Sequence, residues 1–248
     1  MICNLCPRKC LVDRKKGEKG ICGQTENLKV ARAALHFWEE PCISGDAGSG
    51  AVFFSGCPLH CVFCQNENIA NGTVGKEISL ERLVDIFLEL QEKRANNINL
   101  VTPGHFVPQI VKALDQARKE GLTLPVVYNT SSYETVDTIK MLEGYVDIYL
   151  PDFKYMSPVL SKKYSRAPDY AEVAKAAIAE MVRQTGKAVF VNGDEDNLIL
   201  SGTIVRHLTL PGCMADSMQI LKYLHDTYGD MIYISIMNQF TPLSNLEK

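Results

Sequence analysis

No run of about 18 uninterrupted apolar residues occurs in the chain, so no segment reads as a membrane-spanning helix. The opening residues, MICNLCPRKC, lack the apolar core of about 7–15 residues that a secretory signal needs. A strong excess of positive charge is also missing. Net charge is −3, which provides no global basic field for drawing the chain to nucleic acid or an anionic surface. Neither nucleic acid nor a membrane is therefore expected as a partner. The glycine-rich stretch GDAGSG (45–50) lacks the lysine of a phosphate-binding loop. It reads as a turn entering a strand.

What is present is an ordinary globular balance, 46% hydrophobic and 22% charged over 248 residues. That is enough for one domain with a small appendage. Nine cysteines stand out. Without a secretion signal they point to metal or redox chemistry in a reducing, cytoplasmic setting rather than to disulfides.

Three of them fall close together in AVFFSGCPLHCVFCQN (51–66), where Cys57, Cys61 and Cys64 form a C-x3-C-x2-C run directly after an apolar, strand-like segment. Soft thiolates select iron–sulfur clusters, zinc or copper(I). All-thiolate clusters ordinarily use four cysteines, so three close ligands fit a four-iron cluster with one iron left open. Thiolate zinc sites usually supply a C-x2-4-C pair plus a second pair, and three buried structural cysteines are the bland alternative. Phe63 adds a flat apolar face beside the run. A second set, Cys3, Cys6, Cys10 and Cys22, has spacing C-x2-C-x3-C-x11-C within a basic, polar stretch. Too little apolar material surrounds it to form a core, and a metal would supply the folding energy. Structural zinc and a second iron–sulfur cluster both suit four thiolates; free thiols in a flexible arm are the bland alternative.

From residue 51 onward, apolar runs alternate with amphipathic segments. Strands are expected over 51–55, 98–102, 124–129, 146–151, 203–209 and 231–236, as short continuous apolar runs of the kind buried on both faces. Helical periodicity marks SLERLVDIFLELQEKRA with Ser79 as its cap, VPQIVKALDQARKEG, ETVDTIKMLEG, PDYAEVAKAAIAEMVRQTG and SMQILKYLHDTYG. The run Val30–Trp38 fits a strand or a short helix, and His36, Glu39, Glu40 and Cys42 near it read as packing and solvated charge. Residues 187–202 read as a hairpin with NGDED as its turn. The alternation argues for a parallel α/β domain, with six units rather than the eight of a closed barrel. Periodicity does not separate an open sheet from a partial barrel.

Polar groups end the later strands. TPGH supplies His105, which also suits a helix start. NTSS supplies Asn129 and Ser131, which suit a ribose or carboxylate or else a helix cap. DFK supplies Asp152 and Lys154, an anion and a cation two residues apart. IVRHL supplies Arg206 and His207 on opposite strand faces. Asn238 and Gln239 end the last strand.

The context GSGAVFFSGCPLHCVFCQN resembles the radical S-adenosylmethionine (radical SAM) superfamily, and within it the pyruvate formate-lyase-activating-enzyme-like branch and its activating-enzyme homologue group. The resemblance runs from about Cys3 to Pro242. It implies a partial (β/α)6 barrel with a small Cys-rich N-terminal extension (1–50) and a core over 51–248. It also implies a 4Fe–4S cluster on Cys57, Cys61 and Cys64, with S-adenosylmethionine (SAM) bound at the open iron and cleaved to methionine and a 5′-deoxyadenosyl radical. Phe63, His105, Asn129, Ser131, Asp152, Lys154 and Arg206 are the implied cofactor contacts. Asp152 and Lys154 match the branch's D-x-K motif, whereas TPGH stands where a GGE-type sequence is commoner. Implied partners are a reductant such as flavodoxin or ferredoxin and a glycyl-radical enzyme as substrate. Another peptide or a small molecule is the alternative substrate. An iron–sulfur carrier without SAM cleavage is the alternative class, one that needs neither the βα units nor the polar strand ends.

Overall fold

The computed structural model describes residues 2–194 and 197–241. Nine strands form one sheet: β1 (Lys29–His36), β2 (Ser49–Phe54), β3 (Lys76–Glu77), β4 (Ile98–Val101), β5 (Val126–Thr130), β6 (Ile148–Pro151), β7 (Val189–Phe190), β8 (Ile199–Leu208) and β9 (Tyr233–Met237). Their order is β3-β1-β2-β4-β5-β6-β8-β7, with β9 also on β8. Strands β2, β4, β5, β6, β8 and β9 run parallel. They correspond to the six apolar runs, and the sheet stays open. The ambiguous run is settled as strand β1, antiparallel to β2. The sheet therefore begins at Lys29 and draws on both sides of the boundary set at residue 50. The expected hairpin forms between β7 and β8. Its NGDED turn lies partly outside the described residues, as does Pro242.

Helices α1 (Pro41–Ser44), α2 (Glu67–Ala70), α3 (Leu80–Glu92), α4 (Val107–Lys119), α5 (Val136–Lys140), α6 (Pro158–Ser165), α7 (Tyr170–Thr185) and α8 (Met214–Tyr228) connect the strands. Helix α6 gave no sequence signal. Its PVLSKKYS carries few apolar residues, and a proline opens it. Ser79 caps α3 by accepting the Arg82 N–H at 3.1 Å. Ser79→Ala is expected to lower stability by about 1 kcal/mol in urea unfolding.

Strand alternation builds two apolar layers. Val126, Tyr128, Tyr149 and Val205 pack outward with the helices around Leu83, Phe87, Ile110 and Leu114. Val127, Ile148, Leu150 and Ile204 face the other way and pack with Ile43 of α1, Phe190 and Ile199. The polar residues Asn129 and Arg206 continue this inner face towards the strand C-termini, one alternation beyond Val127 and Ile204. An apolar floor thus lies beneath a polar mouth.

Candidate functional site

Strand β2 delivers the three-cysteine loop to the C-terminal face of the sheet. Ser55 fixes its start, its N–H bonding Lys29 O and its hydroxyl bonding Val74 O. Gly56 follows at φ 92, where a Cβ would stand 2.4 Å from Cys22 O and 2.6 Å from Gln24 Cγ. Only glycine satisfies both the conformation and the contact. His60, also at positive φ, ties the loop to Ile21 O at 2.8 Å and to Asn71 Oδ1 at 3.1 Å.

Backbone N–H groups donate to two of these sulfurs, from Leu59 and His60 to Cys57 and from Asn66 to Cys64. The Ser165 hydroxyl donates to Cys61 Sγ at 3.0 Å. Donation of this kind favours thiolates. Burial nevertheless pushes the Cys57 thiol up to about 12, with the neighbouring Cys61 adding to the rise. Cys64 is raised by burial as well. Three neighbouring sulfurs with N–H and O–H donors become stable as thiolates when a metal supplies the positive charge, so this donor set fits a thiophilic cluster. Phe63 completes an apolar wall, its ring 6.4 Å from Tyr155, 6.3 Å from Tyr164 and 6.5 Å from Phe240.

Beside the loop lies a nearly buried polar network. Arg206 on β8 donates through Nε to Asp152 Oδ1 at 2.9 Å, and through its terminal nitrogens to Glu39 Oε1 at 2.8 Å and Asn129 Oδ1 at 2.7 Å. Lys154 Nζ reaches Asp152 Oδ2 at 2.6 Å. Asn129 and Asn99 both donate to Glu39 Oε2, at 3.0 and 2.9 Å. Burial would raise the Asp152 pKa, but the Arg206 and Lys154 charges outweigh it and hold the carboxyl below its usual range. Burial would lower that of Lys154, but Asp152 overrides this and raises the ammonium to about 12. The Lys154 charge also acts on Cys61 and Cys64, which joins the network to the cysteine loop.

Asn129, Asp152, Lys154 and Arg206 are thus brought together. Ser131 borders them. Its carbonyl lies 2.8 Å from the Tyr170 hydroxyl, which lies equally close to Asp152 O and accepts the Lys154 N–H. His105 is placed elsewhere. Its Nε2 meets Ser55 O at 2.7 Å beneath the cysteine loop, and burial pushes its pKa down to about 3, so it stays neutral. It supports the loop from below and stands apart from the polar network. His207 turns to the outer face, bonding Phe153 O and Ser217 Oγ. Asn238 and Gln239 follow β9, and Gln239 O accepts from Gln65. Cys3, Cys6 and Cys10 are half-buried and Cys22 is buried in the loop that packs on Gly56 and His60.

Two acidic groups carried no site signal in the sequence. Glu39 follows β1, read as solvated charge, yet bridges Asn99, Asn129 and Arg206. Glu134, after β5, is buried. Its Oε1 accepts from Thr130 and Tyr128 at 2.7 and 3.1 Å, and its Oε2 lacks a partner. Gly104 makes room for it, since a Cβ there would stand 2.4 Å from Oε2. Burial pushes the Glu134 carboxyl up to about 7. The folded state therefore keeps a proton that the unfolded chain releases above about 4.5, and this group erodes stability as pH rises from there to about 7. Glu134→Gln is expected to gain on the wild type by up to about 1.4 kcal/mol per pH unit across that window. Urea midpoints at both ends check this, and a constant difference would contradict it.

The radical SAM superfamily profile matches residues 51–194, more than half of the chain. An uncharacterized protein of Methanocaldococcus jannaschii is 26% identical over 249 residues, covering 97% of this chain and 66% of its own length. Among solved structures, methylornithine synthase (PylB) superposes with TM-score 0.52 at 16% identity, over 75% of this chain and 52% of its own. HydG, a maturase of the FeFe hydrogenase, superposes with TM-score 0.51 at 14% identity, over 76% and 42%. The chain spans less than two thirds of the length of each of these proteins, and the two solved structures speak for the fold. Among the described residues no helix is long and apolar enough to cross a membrane. With the profile covering the cysteine loop and the first four parallel strands, the chain belongs to the radical SAM superfamily.

Proposed function

We propose that the protein reductively cleaves SAM and uses the resulting radical to take hydrogen from a backbone glycine of a partner polypeptide, converting it into a glycyl-radical enzyme. The observation that carries this reading is the junction of the cysteine loop with the Asp152–Lys154–Arg206–Asn129 network. A 4Fe–4S cluster on Cys57, Cys61 and Cys64 would supply the electron and the open iron at which SAM is split. Asp152 offers acceptors to an ammonium. Lys154 and Arg206 offer donors to a carboxylate, so a methionyl group finds complementary partners within one network. Phe63, Tyr155 and Phe240 exclude water from that junction, which radical chemistry requires. The polypeptide substrate is favoured by exposed apolar side chains on the same face. Val62 lies in the cysteine loop, Val159 opens α6, and Met214 and Met218 sit in the first turns of α8. Asp216 joins those helix starts by accepting the Met156 and Ser157 N–H groups. The electron would come from a reductant such as flavodoxin or ferredoxin in a reducing cytoplasm.

The test supplies a glycyl-radical enzyme polypeptide with α-deuterated glycine, together with SAM and reductant, in the absence of oxygen. Deuterium in 5′-deoxyadenosine supports glycine as the hydrogen donor. Turnover to 5′-deoxyadenosine without deuterium would move the reading to another substrate.

A further inference from the structure

Residues 2–24 are short of the means to fold by burial. Ile2, Leu11 and Ile21 are 57%, 65% and 50% exposed, and the buried positions are Arg14, Cys22 and Gln24. The backbone is left-handed at Lys9 (φ 42) and Leu11 (φ 55), a strained choice for residues with a Cβ. Yet the segment folds into tight turns. Cys3 N–H bonds Val12 O, Leu11 N–H bonds Cys3 O, Lys9 N–H bonds Cys6 O and Gly23 N–H bonds Gly20 O.

Those turns bring the four cysteines into one small segment, with the Cys10 and Cys22 sulfurs near one another. Cys10 Sγ and Cys22 Sγ flank Gly20, where a Cβ would stand 3.3 and 3.8 Å from them. Cys6 interacts electrostatically with Cys10 and Cys22, and Cys22 with Cys3 and Cys10. Backbone N–H groups point at three of them, from Arg8 to Cys6, from Gln24 to Cys22 and from Ile21 to Cys10 at 3.2 Å. Donors at the second residue after the cysteine recur at Cys57 and Cys64. Cys42, outside both sets, has only its own N–H. Donation to sulfur has little value for a neutral thiol and much for a metal-bound thiolate.

We infer that Cys3, Cys6, Cys10 and Cys22 bind a second thiophilic centre, a zinc ion or an iron–sulfur cluster, which folds residues 2–24 and clamps them onto the catalytic cysteine loop. The clamp is visible in contacts from the N-terminal turns to the loops after several parallel strands. Arg8 donates to Pro58 O at 2.9 Å and to the Ser165 and Arg166 carbonyls. Ile21 O meets His60, and Cys22 O abuts Gly56. Arg14 donates to His105 O at 2.6 Å, and Leu5 O accepts from Thr138 at 2.7 Å. Among the described residues no three donors are gathered closely enough to hold an ion as they stand. Binding therefore draws the sulfurs inward and couples to local folding.

The experiment counts metals on the full chain, purified without oxygen, in the wild type and three variants. The wild type is expected to carry about one zinc, or about four further irons, beyond the catalytic set. Cys6→Ser with Cys22→Ser should lose that increment, whereas Cys42→Ser with Cys213→Ser should keep it. Cys57→Ala with Cys61→Ala and Cys64→Ala should also keep it, so the second centre is scored whether or not the proposed SAM chemistry holds. Chelation should speed proteolysis within residues 2–24 at least tenfold in that last variant. A wild type with about four irons and no zinc overturns the proposal, as does an unchanged metal count in the Cys6/Cys22 variant.

Discussion

Arg206→Met is expected to lower the free energy of unfolding by about 3–5 kcal/mol, the usual cost of removing one partner from a buried ion network. The Arg206 side chain is 13% exposed, and its carboxylate partners Glu39 and Asp152 are 10% and 16% exposed. Methionine fills a similar volume, so packing is largely kept. What remains is two carboxylates with reduced compensation and an Asn129 carbonyl oxygen without its donor. Lys154 still pairs with Asp152, which limits the loss on that side. The Arg206 and Lys154 charges hold the Asp152 carboxyl below its usual range. That contribution is present above the ordinary carboxyl range and is lost as pH falls through the folded value. The gap between wild type and variant should therefore narrow below about pH 4. The measurement is the urea midpoint at constant m. Lys222→Met, which breaks an exposed pair with Asp226, serves as control and should change stability by no more than about 1 kcal/mol. Equal effects at the two sites would mean that the network is hydrated and contributes little.

Cys57→Ala is expected to reduce reductive release of methionine from SAM by at least about 100-fold, since loss of a mere outer-shell partner already lowers metal binding or activity 10–100-fold. The Cys57 sulfur is enclosed and takes two backbone N–H donors. Alanine removes the ligand and leaves those donors facing a void. Iron per chain should fall in parallel, which separates loss of the cluster from a defect in SAM binding. Cys42→Ala provides the contrast, because Cys42 packs with the inner apolar cluster around Ile43 and should leave iron and methionine release unchanged. Full activity in the Cys57 variant would refute the cluster assignment.

The sequence revealed elements whose information is local. The parallel strands are buried on both faces, so each shows as an apolar run. The long helices carry stripes that only a covered face requires. The cysteine loop was legible because its three cysteines lie within eight residues. Less was legible where structure depends on distant partners. Strand β1 shows mixed burial along its length, and its apolar run fits either period. The start of α8 at Met214, three residues before the expected segment, follows a turn at Cys213 rather than a conspicuous cap. Glu39 looks like surface charge until Arg206, 167 positions away, is brought against it. Glu134 is informative only beside Gly104, a contact that no spacing rule anticipates. The polar strand ends were visible as composition, but whether each side chain joins the network depends on loop geometry, and His105 turns the other way.

The sheet does not close between β9 and the edge formed by β1 and β3. Across that seam, side chains carry bonds. Gln65 reaches Gln239 O and Thr241 Oγ1 beside the cysteine loop, and Ser235, the register partner of Arg206, meets Glu40. A joint of this construction is mechanically compliant. It can widen by letting go of a few partly exposed contacts, whereas parting any two of the paired strands would break a backbone ladder. The six parallel strands then behave as a stiff frame, and the mouth beside Cys64 and Phe63 acquires one adjustable edge.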